Sequence, residues 1–116
     1  MTAMQRAKPE DWYRVRKLGD DVTHVDEPFI EEFYRCNIWH VRGRDRDMLV
    51  DTGMGVVSLR QYVPLVTEKA CTAIASHTHF DHIGCHHEFA DRVVHAAEAE
   101  LLAHHLEYLR FVLRVG

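Results

Sequence analysis

The chemistry-bearing residues of this chain are concentrated in Ser76-His77-Thr78-His79-Phe80-Asp81-His82-Ile83-Gly84, which places three imidazoles and one carboxylate within six positions. Imidazole nitrogens and carboxylate oxygens are the usual protein ligands of zinc and its neighbours. The preceding Cys71-Thr72-Ala73-Ile74-Ala75-Ser76 reads as a short buried strand. If the backbone stays extended into the motif, residues two apart point the same way, so His77 and His79 would reach one point together. Asp81 and His82 are adjacent and face differently, so they would serve a neighbouring point, where Gly84 lets the chain turn into a helix. Two metal positions side by side suit hydrolysis. The competing reading is a histidine-rich solvated loop. The H-x-H-x-D-H spacing seldom arises by chance, even in a chain with ten histidines.

The elements that must position this motif are strands first, then alternating helix and strand. Residues 1–11 read as a disordered polar lead. Trp12 to Leu18 suggests a first strand, Gly19-Asp20-Asp21 a turn, and Val22 to Val25 the returning strand. Pro28 interrupts the pattern, and Phe29 to Tyr34 reads as a loop or edge segment. Cys36 to Val41 and Met48 to Asp51 are strand candidates on either side of a polar turn at Gly43 to Asp47. Asp51 then stands beside the glycine turn Thr52-Gly53-Met54-Gly55, at a site mouth or simply in a turn. Val56 to Val63 has helical spacing and Pro64 ends or kinks it. After the motif, Cys85 to Ala90 is expected as a short helix and Arg92 to His95 as a strand. A helix from Ala96 onward would carry Leu102, Leu106, Leu109 and Leu113 on one stripe.

Size and composition narrow the classes. The 116 residues allow one small domain, and 47% apolar content is ordinary for a globular chain. The net charge of −4 carries no basic stripe, which argues against nucleic-acid binding. No run is long enough to span a bilayer, and the N-terminus lacks the apolar core of a signal peptide. Three cysteines at irregular spacing, Cys36, Cys71 and Cys85, fit a reduced, cytoplasmic protein. Eight of the ten histidines lie between His77 and His105, so the ligating potential belongs to the second half.

With His77-Thr78-His79-Phe80-Asp81-His82 preceded by Asp51-Thr52-Gly53, the chain resembles the N-terminal half of the metallo-β-lactamase superfamily. Trp12-Tyr13, Leu18-Gly19-Asp20, Asn37-Ile38-Trp39, Ser58-Leu59 and His95-Ala96-Ala97-Glu98-Ala99 extend the similarity towards its acyl-coenzyme-A-hydrolysing branch. The resemblance implies an α/β fold: the N-terminal half of an αββα sandwich, a mixed sheet with flanking helices, over residues 12–116. It implies two zinc ions, His77 and His79 binding the first, Asp81 and His82 the second, with Asp51 as a supporting carboxylate. Asp81 would also hold the nucleophile in line. Cys85 stands where many members have a second glycine, near the site. His86, four residues from His82, could share its face. His95, His104 and His105 read as solvated or packing residues.

Such a centre would make water a nucleophile at neutral pH and attack an ester-like carbonyl, a thioester being favoured because a thiolate leaves easily. Lactams, lactones and phosphodiesters stay open, as does a single iron supporting an oxidation. The rival is a truncated half-domain that binds metal weakly or serves as an interaction module. It follows from the remaining ligands, which the superfamily draws from its C-terminal half, and it carries an exposed sheet able to self-associate.

Overall fold

A computed structural model of the chain describes residues 7–94. Six strands form one sheet in sequence order, β1 (Arg14–Gly19), β2 (Val22–Asp26), β3 (Ile38–Val41), β4 (Asp47–Val50), β5 (Cys71–Ile74) and β6 (Asp91–Val93). The first four pair antiparallel and the last two add parallel, so the sheet is mixed. The expected strands are all present, with the first starting later than Trp12. The polar lead contains a 3-10 turn, Pro9–Asp11.

Alternation decides which face is buried. Val25, Ile38, Leu49 and Ala73 point inward from neighbouring strands and are fully buried. Leu59, Val63, Val66 and Phe89, carried by the crossovers, pack over them in one core. Burying an aliphatic or phenyl side chain of this size stabilises by roughly 1.5–3 kcal/mol. On the outer edge, β1 is exposed along its length and carries Arg14, Arg16 and Lys17. Charges of this kind discourage edge-to-edge pairing. Arg14 also grips the Asp26 carboxylate with two bonds, at 2.9 and 2.6 Å.

The crossovers are less helical than the apolar spacing predicts. Instead of a helix over 56–63, one α-helical turn forms, α1 (Leu59–Tyr62), capped by Ser58 Oγ accepting from Gln61 N–H at 3.2 Å. Gly55, at φ +81°, delays its start, and Pro64 opens a separate 3-10 turn, Pro64–Thr67. The helix expected over 85–90 is only a 3-10 turn, His86–Glu88. Phe29 to Tyr34 is a loop ending in the 3-10 turn Glu32–Tyr34. The helix expected from Ala96 and the histidines at 95, 104 and 105 lie outside the described residues.

Strand direction sorts the chemistry. The starts of β1 and β3 and the ends of β2, β4 and β5 share one end of the sheet. That end collects Glu27, Cys36, Asp51 and the motif after Ile74. The opposite end is a structural tie. Asp47, buried at the start of β4, accepts from Gly43 N–H at 3.0 Å and faces His40 Nε2 at 3.1 Å and Lys69 Nζ at 3.6 Å.

Candidate metal centre

The motif is not extended. β5 stops at Ile74 because Ser76 N–H leaves the sheet to donate to Asp51 Oδ1 at 2.7 Å. The backbone bends at Ser76 and His77, and His82 N–H closes a turn on His79 C=O at 3.0 Å. The expectation that strand pleat aims His77 and His79 together therefore fails. The turn gathers them instead. The His77 ring centroid lies 4.0 Å from that of His82 and 4.7 Å from that of His79. Asp81 Oδ2 is 3.5 Å from His82 Nε2. The two pairs expected to serve separate points thus form one contiguous group.

Asp51 orders this group. It follows β4 at φ +67°, a left-handed conformation that Asp tolerates better than most residues. Its Oδ2 accepts from Ser76 Oγ at 2.6 Å and from His82 Nδ1 at 2.9 Å. A carboxylate only accepts, so His82 carries a proton on Nδ1, and its Nε2 faces the Asp81 carboxylate. The Ser76 hydroxyl spends its single proton on Asp51. Its oxygen, 2.9 Å from His77 Nδ1, then accepts from that ring, which frees His77 Nε2. One carboxylate thereby sets two tautomers, directly and through a hydroxyl, as outer partners do at metal-binding histidines.

The loop bearing Asp51 is locked to the motif. Thr52 N–H donates to His82 C=O at 2.8 Å, and Gly84 N–H donates to Gly53 C=O at 2.7 Å. Cys85 N–H donates to Thr52 Oγ1 at 3.0 Å. From the other side, Glu27 receives Met54 N–H on Oε1 and Trp12 Nε1–H on Oε2, both at 2.9 Å. Glu27 is completely buried, and burial raises its pKa against the pull of these two donors.

Three further residues near the motif divide by contact. His86 does not share a face with His82. It is fully buried with Nδ1 on Thr52 Oγ1 at 2.6 Å. Burial lowers its pKa from 6.5 to about 4, outweighing the opposing charge of Asp51. The unfolded chain therefore takes up a proton below pH 6.5 that folded His86 refuses. Stability is present in full above pH 6.5 and should fall by about 3 kcal/mol as the pH drops to 4. Urea midpoints across that range should show it, with a shallower slope in His86→Gln. Cys85 turns away from the motif, with Sγ 3.7 Å from Tyr13 Oη and 3.6 Å from Val57 C=O.

Cys36 is the residue that sequence reasoning missed as a site group. It precedes β3, is 1% exposed, and lies with Sγ 3.4 Å from His82 Nδ1. Burial, then the charge of Asp51, pushes its thiol pKa up. Among the described residues, Cys36, Asp51 and His82 bring three potential ligand atoms within 4.8 Å of one another. In the sequence Cys36 reads only as the start of a strand and as one of three reduced cysteines.

A family model described as the metallo-beta-lactamase superfamily matches residues 32–111. The chain belongs to the metallo-β-lactamase superfamily. Among curated relatives, the acyl-coenzyme A thioesterase MBLAC2 of Bos taurus is 40% identical over 105 residues, covering 80% of this chain and 38% of its own length. The Homo sapiens protein of the same name is 38% identical over 105 residues, with the same shares of each chain. This chain thus spans well under half the length of these relatives. Among solved structures, a metallo-β-lactamase from Hirschia baltica superposes with TM-score 0.57 at 20% identity, covering 79% of this chain and 47% of that one. FIM-1 from Pseudomonas aeruginosa, in its mono-zinc form, gives 0.61 at 15% identity over 80% and 46%. These two share the fold. No helix among the described residues is long and apolar enough to cross a membrane.

Proposed function

We propose that this chain carries the metal-binding half of a zinc-dependent hydrolase acting on an acyl thioester. The observation that carries the reading is the hydrogen-bond arrangement: Asp51 and Ser76 occupy Nδ1 of His82 and His77, which turns Nε2 of His82 towards the Asp81 carboxylate at 3.5 Å. The donor set of imidazoles and carboxylate suits zinc, with His77 and His79 for one ion and Asp81 and His82 for a second. When bound, such ions lower the pKa of water to about 7 and polarise a carbonyl. The chain's own part is to orient. Asp81 holds the attacking water in line, while Asp51 and Ser76 keep the rings from turning. A C–O bond forms at the acyl carbon as the water gives up its proton to solvent, the C–S bond breaks, and the thiolate departs without needing a proton. The thioester preference rests on the names of the curated relatives.

A second reading has its own observation. The described residues supply two donors per ion, whereas catalytic zinc sites use three protein ligands. On that reading the chain binds metal but does not turn over. Zinc content by elemental analysis, with coenzyme A release from an acyl-coenzyme A by this polypeptide, separates them. Two zincs with thiol release that disappears in His79→Ala supports hydrolysis. Zinc without release supports the half-site. Iron in place of zinc, or no metal in the wild-type chain, would sink the zinc assignment.

A further inference from the structure

We infer that Cys36, Asp51 and His82 form a second, inner position for a thiophilic divalent cation, on the Nδ1 side of the His82 ring. The donors come from three separated parts of the chain: the lead into β3, the turn after β4 and the motif. They converge behind the ring rather than in front of it. Sγ to Nδ1 is 3.4 Å and Nδ1 to Asp51 Oδ2 is 2.9 Å. A tetrahedral ion with S, N and O ligands at its ordinary bond lengths sets these separations at about 3.6 and 3.3 Å. These two pairs therefore need to open by only a few tenths of an ångström, and all three donors already lie within 4.8 Å of one another. Ser76 Oγ, 2.6 Å from the same Asp51 oxygen, lies within reach as a fourth donor. A buried thiol beside an imidazole and a carboxylate favours softer ions than imidazole and carboxylate alone.

Filling this position has a chemical consequence. The ion displaces the Cys36 thiol proton, and the ring proton of His82 moves from Nδ1 to Nε2. A neutral imidazole has one lone pair to offer, so His82 cannot serve the inner and the outer position at once. This competition rests on the proposed role of Nε2 in hydrolysis; the inner position itself rests on the three donors. Excess soft metal at the inner position would switch the outer centre off.

Cobalt titration of the full chain tests it. Cobalt bound through Cys36 gives a near-ultraviolet sulfur-to-metal charge-transfer band. The band should remain in the Cys71→Ser/Cys85→Ser double variant, where Cys36 is the sole thiol, and vanish in Cys36→Ser. Cys71 begins β5 at the far end of the sheet, and Cys85 faces Tyr13, so neither reaches the group. Should the variants fail to fold, cadmium-113 resonance of the wild-type chain reports sulfur ligation directly, as a large downfield shift. Cobalt or cadmium bound with no sulfur signature overturns the inner position and leaves the hydrolase reading standing. A band surviving in folded Cys36→Ser overturns it too. A wild-type chain that binds neither ion overturns both.

Discussion

Asp51→Asn should yield a folded chain whose zinc affinity is about 10- to 100-fold weaker. The substitution keeps the shape of the side chain, and Asn accepts the left-handed backbone found there, φ +67°. Its amide oxygen still receives Ser76 N–H. Its amide nitrogen, however, now faces Ser76 Oγ and His82 Nδ1 and can only donate. His82 Nδ1 must become an acceptor, which moves the ring proton to Nε2. The Ser76 hydroxyl, receiving the amide, turns its own proton towards His77 Nδ1 and does the same to that ring. Both nitrogens proposed to meet metal are then blocked by a change that removes no volume. Competition against a chromophoric chelator measures the affinity, and thermal melting measures the fold. Unchanged affinity would show that the Asp51 network does not control ligation.

Gly84→Ala should abolish cooperative folding, or cost more than about 4 kcal/mol if a folded form survives. A Cβ at this position would stand 2.1 Å from the Met54 carbonyl carbon and 2.2 Å from Gly55 N. Both are backbone atoms in a loop already fixed by Glu27, so neither can yield as a side-chain tip would. Gly55 approaches from the other side, its added Cβ falling 2.6 Å from the Gly84 carbonyl oxygen. Gly19 supplies the comparison. Its φ of +101° is unfavourable for alanine, as that of Gly84 is not, but nothing lies within 4 Å of the added carbon. Gly19→Ala should therefore cost only about 1–2 kcal/mol. Urea unfolding of the two variants under one set of conditions tests the contrast. Equal losses would mean that the meeting of two loops is not what makes Gly84 necessary.

The strands were legible because their information is local. Alternation in Cys71-Thr72-Ala73-Ile74 and the turn chemistry around Gly19 and Gly43 are visible within a few residues. The motif was legible by residue type alone. Its conformation was not, since the partner that draws Ser76 out of the sheet is Asp51, 25 positions earlier. The helix expected over Val56 to Val63 shows the limit of periodicity: eight residues with apolar spacing were boxed between Gly55 and Pro64, leaving room for one turn. Glu27 stands just before Pro28, where the strand pattern breaks off, yet it is fully buried, bonded to Trp12 and Met54. Cys36 was hidden for the same reason, standing 46 positions from His82.

Because the strands lie in the order in which they occur, each finds its partner already waiting during synthesis. Growth of the sheet resembles a zip closing in the direction of translation, the longest searches being the connections that precede the parallel strands β5 and β6. Asp51 and its turn are thus laid down before the histidines leave the ribosome. The newcomers meet an acceptor laid down ahead of them, the Asp51 carboxylate that receives Ser76 and His82.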